Sequence, residues 1–217
     1  MEIVREISRG AESVIYECRL WGLRCILKKR TRKLYRNPIL DSELNRERTK
    51  QEARIMLSSM EAGVNVPAIL DVDLRNFSIY MEYINGPTVM EALDSKIMEP
   101  ERIGQMVGKF AGRLHSRGLI HGDLNTKNLI LNGNDLFVID FGLSKHSFEV
   151  EDFGVDVHVF LRSLESVHPG LIEQVMKGFS HGYEEETREW VVIWEKVLEI
   201  RRRGRYVRER KTGGGDQ

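Results

Sequence analysis

The chain has 217 residues, 41% of them apolar, enough to bury one large domain or two small lobes. Thirty-three Lys and Arg balance thirty-three Asp and Glu, so the molecule as a whole is excluded as a bulk polyanion binder and any basic surface is local. Cys18 and Cys25 are too few for a disulfide framework and lack zinc-ligand spacing, no apolar run approaches the ~20 residues that cross a bilayer, and no signal-peptide core opens the chain, which predicts a cytoplasmic protein without membrane contact.

Residues 1–36 read as strands: short or alternating apolar runs at 13–18 and 24–27 are punctuated by Gly10 and by Gly22, the latter inside a tight turn from Leu20 to Leu23. From residue 41 to 60 the composition shifts to charged helix formers, stopped by Gly63 and Pro67, which predicts one long exposed helix. Two more short strands, around 68–72 and 77–83, end at Asn85-Gly86-Pro87, where a lobe boundary is placed. Beyond it Ile103, Met106, Val107, Phe110, Ala111 and Leu114 recur at the spacing of a core helix capped by Gly118. Gly104, Gly108 and Gly112 share one face of that helix. Each costs about 1 kcal/mol against alanine, so close backbone packing is expected there. Asn132-Gly133 between two apolar runs signals a hairpin. Trp190, Ile193, Trp194, Val197 and Leu198 mark a last amphipathic helix that ends in Arg201-Arg202-Arg203, the charge that suits a helix C-terminus.

The hairpin carries chemistry. If Leu131 pairs with Leu136, the register sets Asn128 opposite Ile139, directly beside Asp140. Asp123 stands five residues before Asn128, in the run His121 to Asn128 (HGDLNTKN), so a loop returns a second carboxylate to the same open end. Oxygen groups at that density suit a hard cation such as Mg²⁺, completed by phosphate oxygens. Clustered without a ligand, they would lose solvation energy.

HGDLNTKN followed by IDFG resembles the catalytic loop and metal-binding turn of the protein-kinase superfamily, with 17 residues from Asp123 to Asp140. The resemblance implies a two-lobed α+β fold. Residues 1–84 would form a small antiparallel β-sheet lobe with one long helix, residues 85–204 a reduced helical lobe, and residues 205–217 a basic flexible tail. It further implies that Asp123 orients or deprotonates the attacking hydroxyl, while Asn128 and Asp140 hold Mg²⁺ against the phosphates of ATP. The stretch Ile7 to Ile15 takes the place of the glycine-rich loop with Gly10 as its one glycine, so Gly10, Ser13 and Ile15 are the expected nucleotide contacts. Strand alternation puts Ile26 and Lys28 on one face, as the resemblance requires: Ile26 against adenine, Lys28 toward the α- and β-phosphates, with Lys29 the alternative if the register slips by one. By the same likeness Glu52 pairs with Lys28, Met81 stands at the entrance to the adenine pocket, and backbone groups of Glu82 and Ile84 bond the base.

A narrower likeness lies in Lys28-Lys29-Arg30, Tyr35-Arg36-Asn37-Pro38, Leu40-Asp41, the run Arg48 to Ala53 (RTKQEA), and Arg202 to Arg205. These resemble the small atypical kinase of the KEOPS complex, the family that includes the p53-related protein kinase, over roughly residues 3–206. That implies an atypical Ser/Thr kinase or ATPase using ATP and Mg²⁺ to support threonylcarbamoyl modification of adenosine in tRNAs that read codons beginning with adenine. It also implies two partners, a threonylcarbamoyl-transferring subunit on the helical lobe and a small regulatory subunit on the β lobe.

Only 16 residues separate Asp140 from Asp156, with no Ala-Pro-Glu, too short a segment both to gate the site and to hold a peptide. Water or the chain itself is then the expected phosphoryl acceptor, and Asp156 the expected hydrogen-bond partner of the catalytic-loop backbone. Asn125 stands where Ser/Thr kinases carry lysine, with Lys127 as a substitute charge. Residues 201–211 carry seven basic residues against Glu209, a tail expected to meet tRNA or an acidic partner face. Lys29, Arg30, Arg32, Lys33 and Arg36 read as solvated strand-end charges. Two other readings stay open: a small-molecule phosphotransferase of the aminoglycoside or choline kinase type, which shares HGDL, and a non-catalytic RNA-binding scaffold.

Overall fold

A computed structural model describes the backbone of residues 2–212 and the side chains through residue 203. The chain opens with β1 (Glu2–Arg9), β2 (Ser13–Leu20) and β3 (Leu23–Arg30), then α1 (Pro38–Glu61), β4 (Ile69–Asp73) and β5 (Ser78–Glu82). After α2 (Val89–Asp94) and α3 (Pro100–Ser116) come β6 (Leu119–Ile120), β7 (Leu129–Asn132), β8 (Asp135–Val138) and β9 (Lys145–His146), followed by α4 (Val150–Val167), α5 (Ile172–Glu186) and α6 (Trp190–Thr212). The first five strands form one antiparallel sheet in the order β1-β2-β3-β5-β4, while β6 pairs with β9 and β7 with β8. The chain is thus α+β, with a sheet-and-helix first part and a helical second part.

α1 begins three residues earlier than its charged run, because the Asn37 side chain accepts from the N–H groups of Ile39 and Leu40 and Pro38 opens the helix. It is not an exposed helix, as its composition predicted. Asp41, Asn45, Thr49 and Glu52 are buried along it at helical spacing, together with Ala53, Ile55 and Met56. A buried stripe that is itself polar leaves no hydrophobic periodicity to read.

The glycine face of α3 packs as expected. A Cβ on Gly104 would lie 1.9 Å from the Val175 carbonyl oxygen and one on Gly108 2.0 Å from that of Phe179, both on α5. α5 answers with glycines of its own: a Cβ on Gly182 would meet the Gln105 oxygen at 2.0 Å. The two helices therefore touch backbone to backbone.

The main core runs through both parts without a break, joining Ile55, Met56 and Ile79 to Phe110, Leu124, Val138 and Phe141. A satellite cluster of Cys18, Leu20, Cys25 and Leu27 lies within the sheet under Tyr16, Leu70 and Tyr80. Its two cysteines are free thiols opposite each other on β2 and β3, and burial, then the hydrogen bond with Cys25, pushes the Cys18 thiol up to about 12, which makes it a poor nucleophile.

α6 runs on to Thr212, so the helix continues through residues expected to belong to a tail from 205 onward. Residues 213–217 lie outside the described residues. Among the described residues, no helix is long and apolar enough to cross a membrane.

Candidate functional site

The β7–β8 hairpin has the register that its sequence predicts. Leu131 pairs with Leu136, and the Ile139 N–H donates to the Asn128 carbonyl at 2.9 Å. Gly133 and Asn134 form the turn, with Gly133 at φ +61°, the left-handed backbone that a two-residue hairpin turn asks of its first central residue. Asn128 and Asp140 are thereby delivered to the open end of the ribbon.

Asp123 is held there by two amides. Asn128 Nδ2 donates to the Asp123 carbonyl at 2.9 Å and to its Oδ2 at 3.1 Å, which leaves Asn128 Oδ1 free. Asn125 shapes the loop, donating to the Asp123 carbonyl and accepting from the N–H groups of Lys127 and Asn128. The residue that stands in place of a lysine is thus spent on backbone geometry, while Lys127 is exposed.

Asp156 of α4 ties the loop down from behind, as expected. Its two oxygens accept from the N–H groups of His121 and Gly122, each at 2.7 Å. His115 Nε2 faces the same carboxylate at 3.4 Å, and its Nδ1 lies 2.8 Å from the Tyr183 hydroxyl. Burial pushes the Tyr183 phenol up, so it keeps its proton and the hydroxyl–imidazole–carboxylate chain braces Asp156 from behind. Burial would also raise the Asp156 carboxyl, but the hydrogen bond from His115 and the nearby imidazole and backbone donors outweigh it and hold it low.

The second half of the site is an ion network. Lys28 Nζ lies 2.5 Å from Glu52 Oε1 and 2.7 Å from Asp140 Oδ1, joining β3, α1 and the turn after β8. Burial would lower the Lys28 pKa, but Glu52 and Asp140 outweigh it and hold the ammonium charged above its usual range. Asp140 mirrors this: burial pushes it up, Lys28 pulls it lower still, and the net direction is down. Lys29 is exposed and lies outside this network.

Arg30 corrects the reading of the basic run. Its side chain is 3% exposed, its Nη2 donates to Glu52 Oε2 at 2.5 Å, and its Nη1 lies 3.7 Å from Glu12 Oε2. Arg48 of α1 holds the other Glu12 oxygen at 2.7 Å. Glu12 belongs to the Gly10–Ser13 turn, closed by the Gly10 N–H donating to the Ser13 carbonyl at 2.9 Å, so Arg30 and Arg48 anchor the loop expected over the phosphates. The signal for Arg30 was the strand period: Ile26, Lys28 and Arg30 share one face.

The residues expected to contact adenine lie on paired strands and the chain that follows them. Ile26 pairs with Met81 across β3 and β5, Ile15 pairs with Lys28, and Met81 and Ile84 are buried. The Glu82 N–H is already used, donating to the Ala68 carbonyl at 2.8 Å, so only the Glu82 carbonyl is left for a base.

A hard cation fits this donor set in one way. Asp140 keeps Oδ2 beyond the bonds that Lys28 and the Gly142 N–H make to Oδ1, and Asn128 keeps Oδ1. Among the described residues no group of three or more His, Cys, Asp or Glu could hold a metal alone. One carboxylate and one amide oxygen suit Mg²⁺ when phosphates and water supply the remaining oxygens.

Two predictions arise here. Because fully buried Asp156 is held below the ordinary carboxylate value of 3.8, its stabilisation is present above that pH and lost as pH falls through the folded value. The melting temperature should hold between pH 5 and 7 and drop below about pH 4, with a shallower drop for Asp156→Asn, read by scanning fluorimetry. Arg30→Met should destabilise the fold by about 2 kcal/mol, less than the loss of a whole buried pair because Glu52 keeps Lys28. It should weaken Mg-ATP about tenfold and leave adenosine, which has no phosphates, unchanged in calorimetric titrations.

Comparison with known proteins follows this geometry. A family model described as RIO domain matches residues 26–150, and one described as phosphotransferase enzyme family matches residues 113–191. The chain is 40% identical over 216 residues to the KEOPS complex subunit Bud32 of Pyrococcus abyssi, covering 94% of this chain and 96% of that one. It is 39% identical to the EKC/KEOPS complex subunit bud32 of Dictyostelium discoideum, over 92% of this chain and 82% of that protein. It is 38% identical to a probable bifunctional tRNA threonylcarbamoyladenosine biosynthesis protein of Methanothermobacter thermautotrophicus, over 93% of this chain but only 36% of that protein. Among solved structures, the Rio2 kinase of Chaetomium thermophilum in its ADP/Mg²⁺-phosphoaspartate complex shares the fold, with a TM-score of 0.61 at 17% identity over 95% of this chain and 72% of that one.

Proposed function

The chain belongs to the RIO-domain family and, within it, to the group of KEOPS complex subunits named Bud32, and from that premise we propose that it is a Mg-ATP-dependent kinase or ATPase that supports threonylcarbamoyladenosine formation in tRNA. The observation that carries this reading is the joining of the buried Lys28–Glu52 pair to the half-exposed Asp140 in one network, next to an Asp123–Asn128 pair on the same hairpin end.

In this reading Lys28 moves from Asp140 to the α- and β-phosphates while Glu52 and Arg30 keep its stem aligned. Asn128 Oδ1 and Asp140 Oδ2 would hold Mg²⁺, which when bound neutralises phosphate charge. Asp123, its Oδ2 fixed by Asn128, uses Oδ1 to orient the acceptor hydroxyl or water and take its proton. These groups are in place before substrate arrives, so little reorganisation opposes the transfer.

Water or the chain itself is the acceptor that the surroundings favour. The segment after Asp140 is pinned to the catalytic loop: β9 pairs with β6, the Ser147 N–H donates to the Gly118 carbonyl, and Ser144 Oγ donates to the His121 carbonyl at 2.7 Å. Nothing in it is free to form a peptide platform.

Cytoplasmic residence, a threonylcarbamoyl-transferring subunit on the helical lobe and a small regulatory subunit on the β lobe complete the proposal. Support for a close transferase partner comes from the bifunctional relatives, of which the chain spans about a third. For the basic C-terminal segment as a tRNA contact, the side chains from 204 onward lie outside the described residues. Those of Arg201 and Arg203 are already paired with Glu165 and Glu151 of α4, each at 2.5 Å. The phosphotransferase match over residues 113–191 favours a second reading, transfer to a small metabolite.

Release of radiolabelled γ-phosphate, with and without the transferase subunit and tRNA, separates them. Release that rises with both additions supports the proposal. Rapid turnover of one member of a metabolite panel supports the second reading, and no release in any mixture refutes both.

A further inference from the structure

Beside the ion network, the end of β1, the β2 and β3 strands and the β4–β5 turn form a cavity of about 390 Å³. The exposed cations Arg9, Lys29, Arg32 and Arg75 line it together with buried Arg30, whose guanidinium is held by Glu52 and Glu12, and Tyr16 and Phe77 are among its walls. Lys29 alternates with the buried Lys28 and so faces the opposite side of the sheet. Arg9 and Arg75 come from distant stretches of chain, so the tertiary fold gathers four cations where the sequence suggests only scattered strand-end charge.

These cations are poorly compensated in a chain whose charges otherwise balance. Arg9 pairs with exposed Glu6 at 2.6 Å. Among the described residues the side chains of Lys29 and Arg32 make no ion pair, Arg32 lies 6.0 Å over the Phe77 ring, and Arg75 makes no close ion pair but is near enough to Asp73 to help hold that carboxyl below its usual range. Asp73 is held chiefly by the turn, accepting from the N–H groups of Arg75 and Asn76 and from Asn76 Nδ2, and so offsets the Arg75 charge only in part.

We propose that this cavity docks the sugar-phosphate backbone of RNA, and, on the function proposed above, of the tRNA substrate. All four cations are exposed, so a small free anion would be screened by salt and held weakly. A polymer of dense charge gains affinity at the same groups by releasing its condensed counterions. Three of the four are arginines, whose planar forks match phosphate oxygens two at a time. The aromatic walls keep the site concave without adding negative charge.

The test uses the full chain and a labelled tRNA transcript, with affinity measured by anisotropy from 50 to 200 mM salt. Lys29→Ala/Arg32→Ala/Arg75→Ala should bind at least tenfold more weakly near 100 mM salt, and the slope of log K against log salt should shrink by about two. Arg75→Ala alone, in an exposed turn, should shrink it by about one, which keeps the test open if the triple variant folds poorly. A control losing equal charge on the helical lobe, Arg102→Ala/Arg162→Ala/Lys177→Ala, should bind like the unsubstituted chain, and all variants should bind Mg-ATP equally. Unchanged affinity and slope in the triple variant, or an equal loss in the control, overturns the inference. So does equally tight binding of poly-glutamate, which would mark an acidic protein as the ligand. If the unsubstituted chain binds no tRNA, the inference falls while ATP-dependent phosphate release judges the proposed function separately.

Discussion

Asp140→Asn is expected to lower Mg-ATP turnover by about a thousandfold while the protein stays folded. The carboxylate is proposed to do two things at once, to present Oδ2 to the metal and to hold Lys28 through Oδ1 until the phosphates arrive. Loss of one preorganised electrostatic contact to a phosphoryl-transfer transition state costs on the order of 10²–10³, and this change removes a metal ligand and a charge together. Stability should move little. The side chain is 47% exposed, so solvent screens its pairing with Lys28. Its backbone sits at φ +65°, a left-handed conformation that asparagine tolerates well. Steady-state hydrolysis and a melting curve on one sample decide it: turnover within tenfold of the unsubstituted chain at equal melting temperature would remove Asp140 from the metal site.

Gly108→Ala should have the opposite signature, a large loss of stability at a residue remote from the chemistry. Its Cβ would be placed 2.0 Å from the Phe179 oxygen and 2.8 Å from the carbonyl carbon, both backbone atoms that no rotamer change can move. The helices must separate, which opens the packing of Val175 and Phe179 against Ile103 and Val107, all completely buried. Overpacking of this kind costs about 3 kcal/mol or more, and the better helix propensity of alanine returns only about 1 kcal/mol. A net loss of about 2–3 kcal/mol would lower the melting temperature of a chain this size by several degrees. Gly133→Ala, where nothing lies within 4 Å, tests a different effect: strain at φ +61° without overlap, and a smaller loss. Chemical denaturation of both variants reads the ranking, and a Gly108→Ala protein as stable as the unsubstituted chain would mean that α3 and α5 do not touch through backbone.

Much of the site was legible because its parts are local. The hairpin register that brings Asn128 beside Asp140 follows from two apolar runs and a glycine turn, and strand alternation puts Ile26 and Lys28 on the one face that the kinase resemblance requires. What was missed lies where sequence neighbours do not report the partner. α1 hides Asp41, Asn45, Thr49 and Glu52 on its buried face, so its composition imitates a solvated helix. Arg30 looks like one more charge in a basic run until Glu52 and Glu12 close around it. Gly178 and Gly182 of α5 gain meaning only against the glycines of α3.

By itself the sequence determined most of the elements and the α+β class, since backbone periodicity and turn stereochemistry act over a handful of residues, while the residues proposed for phosphoryl chemistry were named by their resemblance to kinase motifs. Only the tertiary structure decided which charges pair, which are buried and which stay free. Buried Lys28 meets Asp140 across 112 residues, because a charge taken out of water must find a partner in space, wherever along the chain that partner lies.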